Sequence, residues 1–212
     1  MNTDVDKFKR SIKTTAYSRF FASRRYSRLN NFSLFALSTS SFSLIFITLM
    51  QKYSSGLLFQ SQALELYQLI SSIFIAALSL VVAFANYAIN SYKMLKSGEE
   101  INFLLSLFDD EKFDMNVIKA RYQRYKEKSD NHNHIDYVYG RRDRKVEESK
   151  TDEKFNVSLY VKIQYFSPFV LYAAISLFFI LTFIYTLFSY YNNYVLNDYS
   201  NALFCNGLFF GG

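Results

Sequence analysis

Residues 66–92 read LYQLISSIFIAALSLVVAFANYAINSY, 27 residues without a single Asp, Glu, Lys or Arg. A helix needs about 20 mostly apolar residues to cross the hydrocarbon core of a bilayer, and one charge at its centre costs about 2.5–3.5 kcal/mol on insertion scales. The run satisfies both conditions. Two further uncharged runs flank it, Leu29–Gln51 with 23 residues and Ile163–Asn197 with 35. A soluble protein can bury an apolar helix, but three of them in 212 residues leave too little polar chain to cover such a core. The expectation is an all-α membrane protein: a basic amphipathic helix in 1–30, a two-helix transmembrane hairpin in 31–92, a cytoplasmic helical region in 93–162, a third C-terminal transmembrane helix in 163–191, and an external tail in 192–212.

Charge fixes the expected orientation. Residues 1–28 hold eight basic side chains, the connector from Lys52 to Glu65 one, the segment from Lys93 to Lys162 fifteen, and the remainder none. Lys and Arg near helix ends resist translocation, so the N-terminus and the middle segment are expected in the cytoplasm, and the short connector and the C-terminal tail on the far side of the membrane. The first run starts about 30 residues in, is longer than the 7–15 residues of a signal-peptide core, and lacks a small-residue cleavage site after Gln51, so retention is expected.

Catalytic and metal motifs are missing: there is no CxxC, HExxH, GxGxxG, P-loop or GxSxG, and Cys205 is the only cysteine. His132 and His134, within DNHNHIDY at 130–137, are the only histidines. With Asp130 or Asp136 they could ligate a metal, yet neither a Cys nor a zinc spacing accompanies them, and a loop that ties helix ends is the preferred use. No cofactor, no metal and no enzymatic activity are expected; a membrane hydrolase built on His132, His134 and Asp136 is the least favoured alternative.

In the N-terminal segment Val5, Phe8, Ile12, Ala16 and Phe20 recur every three or four residues while Lys7, Lys9, Arg10 and Lys13 lie off that stripe, which marks a basic amphipathic helix. It can lie on the inner leaflet or pack on the other cytoplasmic helices, and the pattern does not separate the two. Direct nucleic-acid binding is not expected. The second span is expected to continue through Lys93 to a stop at Ser97-Gly98. Ile101, Leu104, Leu105 and Phe108 then form an apolar face, 113–128 a helix with Val117, Tyr122 and Tyr125, and 130–144 a loop. A charged helix from Arg141 feeds the third span, and Pro168 either starts a new helix at N1 or kinks a continuous one.

Within the second span Ser72, Ala76, Ser79, Ala83, Asn86 and Asn90 follow at alternating spacings of four and three, the period of a helix-packing seam. The first span has a shorter version in Ser33, Ala36, Ser40 and Ser43. These faces either pack on each other within the hairpin or line an aqueous path in an oligomer, since two or three helices alone cannot enclose a pore. The third span is expected to face lipid.

Thr15-Ala16-Tyr17-Ser18-Arg19-Phe20-Phe21-Ala22-Ser23-Arg24-Arg25, just ahead of the first span, resembles the Thr, Arg, Ala, Arg pattern of the SLATT family of bacterial two-transmembrane effector domains. Asn131-His132 and Asp136-Tyr137 are similar to an element of a subgroup often encoded beside reverse transcriptases. The resemblance implies a homo-oligomeric effector that forms a pore or disrupts the inner membrane in abortive-infection antiviral defence, with a cytoplasmic sensor or a reverse transcriptase as possible partners besides the lipid bilayer. It makes Thr15, Arg19, Ala22, Arg25, Asn131, His132, Asp136 and Tyr137 the expected coupling motif. The alternative is a non-conducting membrane anchor or adaptor that docks a cytoplasmic partner.

Overall fold

A computed structural model describes residues 3–53, 62–109, 114–127, 133–149 and 157–207. The described residues form helices and no strands: α1 (Thr3–Tyr53), α2 (Gln62–Ala85), α3 (Tyr87–Phe103), a 3-10 turn (Ser106–Asp109), α4 (Met115–Glu127), α5 (His134–Ser149) and α6 (Leu159–Gly207). Three helical stretches, Asp4–Lys52, Gln62–Phe108 and Leu159–Asn192, are long and apolar enough to cross a membrane. That α1 runs for 51 residues without interruption follows from composition, because no Pro or Gly falls within it. The amphipathic segment and the first span are therefore one helix.

Two compact units emerge, residues 1–32 with 85–170 and residues 33–84 with 171–212. In the first, the stripe on α1 is buried: Ile12 and Ala16 pack with Ile101, Leu104, Ile118 and Tyr122, and Phe8, Phe20 and Phe108 border them. On α4 the inward residue is Ile118, whereas Val117 is exposed. A second cluster joins Phe21 of α1, Tyr139 of α5, Val157 just ahead of α6, and Val161 and Tyr165 in its first turns. Phe21 and Tyr139 stack at 4.7 Å with only 3° between ring planes, a geometry that adds about 0.5–1.5 kcal/mol beyond area burial.

Three expectations need correction here. Ser97-Gly98 does not stop the helix, which continues to Phe103, and no glycine among the described residues has a positive φ. Gly98 serves close approach instead: a Cβ there would lie 2.8 Å from Cε1 of the Phe20 ring. Gly98→Ala is expected to change stability by less than about 1 kcal/mol, because the ring can shift and the alanine gains helix propensity; thermal unfolding checks this. The helix break falls earlier, at Asn86, the only non-glycine with positive φ among the described residues (φ 47°, ψ 38°). Asn tolerates this left-handed conformation better than other L-residues. The expected loop at 130–144 is also largely helical, since α5 begins at His134. Its period is hidden because Gly140, which breaks the apolar pattern, is buried where no side chain fits: a Cβ would lie 2.5 Å from both Cα and N of Ser18.

Pro168 lies inside α6. Its missing N–H frees the carbonyl of Gln164, toward which the Ser167 hydroxyl donates at 3.4 Å. In the second unit, α1 buries Ser33, Ala36, Ser40, Ser43 and Ile47, and α6 buries Tyr172, Ser176, Phe179 and Thr186. The Ser43 hydroxyl donates to the Phe179 carbonyl at 2.9 Å, and the Phe183 ring sits 4.5 Å from Phe46. Ser43→Ala is expected to cost about 0.6 kcal/mol, the average for hydrogen bonds between membrane helices, as measured by unfolding in mixed micelles. On α2, Tyr67 donates to Thr182 at 3.3 Å and Gln68 to Gln51 at 2.7 Å.

Candidate functional site

Two of the expected motif residues meet directly. Arg25 lies seven residues after Ser18 on α1, and Asp136 sits in the first turn of α5. Arg25 donates through Nε to Asp136 Oδ1 at 2.8 Å and through Nη2 to Oδ2 at 2.9 Å, a bidentate pair. Only 10% of the Arg25 side chain and 1% of the Asp136 side chain are exposed. The backbone N–H of Asn133 adds a third donor to the carboxylate at 3.2 Å. Burial works against the Arg25 charge, but the hydrogen bonds and charge of Asp136 outweigh it and hold the guanidinium above its ordinary pKa.

Arg19 is fully buried on the same helix. It donates to the Ser97 hydroxyl of α3 and to the Lys126 carbonyl of α4 at 3.2 Å. Burial lowers its pKa, with Tyr122 and Glu100 opposing. Thr15 shares a 2.8 Å hydrogen bond with the Tyr122 hydroxyl, and Ala22 is fully buried. One helix face thus ties α1 to α3 and α4 through Thr15 and Arg19, and to α5 through Arg25. Tyr137 is exposed, and Asn131 and His132 lie outside the described residues.

The small-residue faces of the first two spans have different surroundings. Ser33, Ala36, Ser40 and Ser43 are buried, and Ser40 returns its hydroxyl to the carbonyl of Ala36 at 2.7 Å. Thr39 and Thr48 likewise bond to carbonyls four residues back. Such bonds satisfy a hydroxyl without water, so the hydroxyl density of the first span does not require an aqueous path. On α2 the inward position is Ser71, whereas Ser72, Ala76, Ser79 and Ala83 are all exposed. Beyond them Asn86 is exposed at the helix break, and Asn90 is half-buried with its amide on the Ala85 carbonyl at 3.2 Å. The two faces therefore do not pack on each other. The third span exposes Phe178, Leu181, Ile184 and Leu187 but buries Phe179.

Sequence reasoning missed the aromatic cluster around Tyr139. Its residues come from three helices at irregular separations, and no period in one segment marks them. Burial raises the Tyr139 pKa, Arg142 opposing, so the phenol stays protonated. No group of His, Cys, Asp and Glu that could hold a metal occurs among the described residues.

Residues 1–189 match the model of a family described as SMODS and SLOG-associating 2TM effector domain family 5. No curated protein and no solved structure matches the chain.

Proposed function

The chain belongs to this SLATT family, and from that membership we propose a membrane effector that oligomerises and permeabilises the bacterial inner membrane in antiviral defence of the abortive-infection type. The observation that carries the proposal is the exposed face Ser72, Ala76, Ser79 and Ala83 on a spanning helix. A single chain leaves those small side chains without a covering helix, and small residues are where helices in lipid approach one another. Several copies meeting on this face can enclose a path lined with hydroxyls, which solvates ions weakly and without a charged filter. The excess of Lys and Arg before the first span and between the second and third supports a cytoplasmic N-terminus and an external C-terminus.

Ser79→Leu/Ala83→Leu tests the proposal better than substitution of Asn86, where a leucine would add about 1–2 kcal/mol of left-handed strain unrelated to conduction. Both positions are exposed, so the fold and membrane insertion are expected to persist. Dye efflux from liposomes holding the purified protein is expected to slow at least tenfold. Unchanged efflux in the variant would remove the conducting role from this face. Liposomes that stay sealed with the wild-type chain, while a partner is retained on its cytoplasmic segments, would favour the adaptor.

A further inference from the structure

Arg25 lines a cavity of about 390 Å³ between α1, α5 and the start of α6, with Asp136 bonded to it from behind. Its cations come as Arg24, Arg25 and Arg28 on one face of α1, Arg142 on α5 and Lys162 on α6. Asp136 neutralises Arg25, and Asp143 is shared by two guanidiniums, Arg24 Nη2 at 2.7 Å and Arg142 Nη2 at 3.1 Å. The lining thus holds five cations and one carboxylate, Asp143, and counting Asp136 behind Arg25 still leaves the cations in excess. Arg28 donates to the Tyr165 hydroxyl at 3.1 Å, and neither Arg28 nor Lys162 has an acidic partner among the described residues. The rings of Phe21, Tyr139, Tyr165 and Phe166 exclude water from the lining and so limit screening of this positive potential, and guanidinium forks match the oxygens of a phosphate.

The position of the two unmatched cations identifies the source of that phosphate. Arg28 is the last charge before the uncharged run that opens at Leu29, and Lys162 the last before the run that opens at Ile163. In a chain whose runs span lipid, both stand at headgroup depth, where basic pockets hold anionic headgroups. We infer that this cavity binds the phosphate of an anionic phospholipid headgroup, with Arg28 and Lys162 as its principal contacts and Arg24 and Arg142 supplying their remaining N–H donors. The inference rests on membrane insertion alone and is independent of pore formation.

The test uses the full-length protein in dodecyl maltoside, titrated with dioctanoyl phosphatidylglycerol and with dioctanoyl phosphatidylcholine. Wild-type protein is expected to prefer phosphatidylglycerol, and Arg28→Gln/Lys162→Gln to weaken that binding roughly 30-fold, at about fivefold for each cation near the lipid surface. Arg28→Lys/Lys162→Arg is expected to retain the preference, as is Lys93→Gln/Lys96→Gln, which removes the same charge from exposed side chains outside the cavity. Equal binding of the two lipids, or an unchanged preference in Arg28→Gln/Lys162→Gln, would overturn the inference. Competition by millimolar inorganic phosphate as effective as by phosphatidylglycerol would overturn the lipid source and assign the cavity to a soluble phosphate.

Discussion

Asp136→Ala is expected to lower the stability of the unit formed by residues 1–32 and 85–170 by about 3–5 kcal/mol, because it strands the buried Arg25 guanidinium without a counter-charge. The comparison that gives this number meaning is Arg25→Met/Asp136→Leu. Replacing a buried ion pair with apolar residues of similar volume is often neutral or stabilising by 1–4 kcal/mol. Stability is therefore expected to return in the double variant, measured by denaturant unfolding of the full chain in mild detergent. If effector activity stays lost while stability is restored, the pair transmits a signal between α1 and α5. If both return together, its role is structural. No useful pH dependence is expected from Arg25: a folded pKa above the ordinary guanidinium value contributes stability that is lost only as pH rises through that value, beyond any working range.

Gly140→Ala is expected to cost about 1–3 kcal/mol, the range for overpacking a filled interior. The sign is diagnostic, since the same change in an uncrowded helix interior stabilises by up to about 1 kcal/mol. Here the added methyl would stand 2.5 Å from backbone atoms of Ser18, which cannot swing aside as the Phe20 ring can near Gly98. Helices α1 and α5 must separate, and Arg25 and Asp136 lie on those two helices within one or two turns of the contact. A loss near that of Asp136→Ala would mean that the close crossing is what holds the ion pair. A gain in thermal stability would show that the helices are not in contact there.

The spanning helices were legible because lipid imposes one simple rule, the exclusion of charge over about 20 residues, and three segments obey it without exception. The stripe Val5, Phe8, Ile12, Ala16 marked an apolar helix face through its periodicity, but a boundary was expected at residue 30, where α1 runs on unbroken. What stayed hidden depended on partners distant in sequence. Gly98 resembled a cap because a glycine required by a ring across the interface looks the same as one required by a turn. The segment around Gly140 resembled a loop on the same ground. The resemblance brought Arg25 and Asp136 forward together, but their 2.8 Å contact spans 111 residues and no local pattern announces it. Arg28 and Lys162 looked like ordinary flanking charges until α1 and α6 placed them around one cavity.

The proposed topology, three lipid-crossing helices, puts the N-terminal and C-terminal segments on opposite sides of the membrane. The lone native Cys205 permits a direct measurement, in parallel with Asn2→Cys built in a Cys205→Ser background and an impermeant maleimide applied to spheroplasts. Labelling of Cys205 in intact spheroplasts, with the N-terminal cysteine labelled only after lysis, is the predicted result. Equal labelling of both, or equal protection of both, would contradict it.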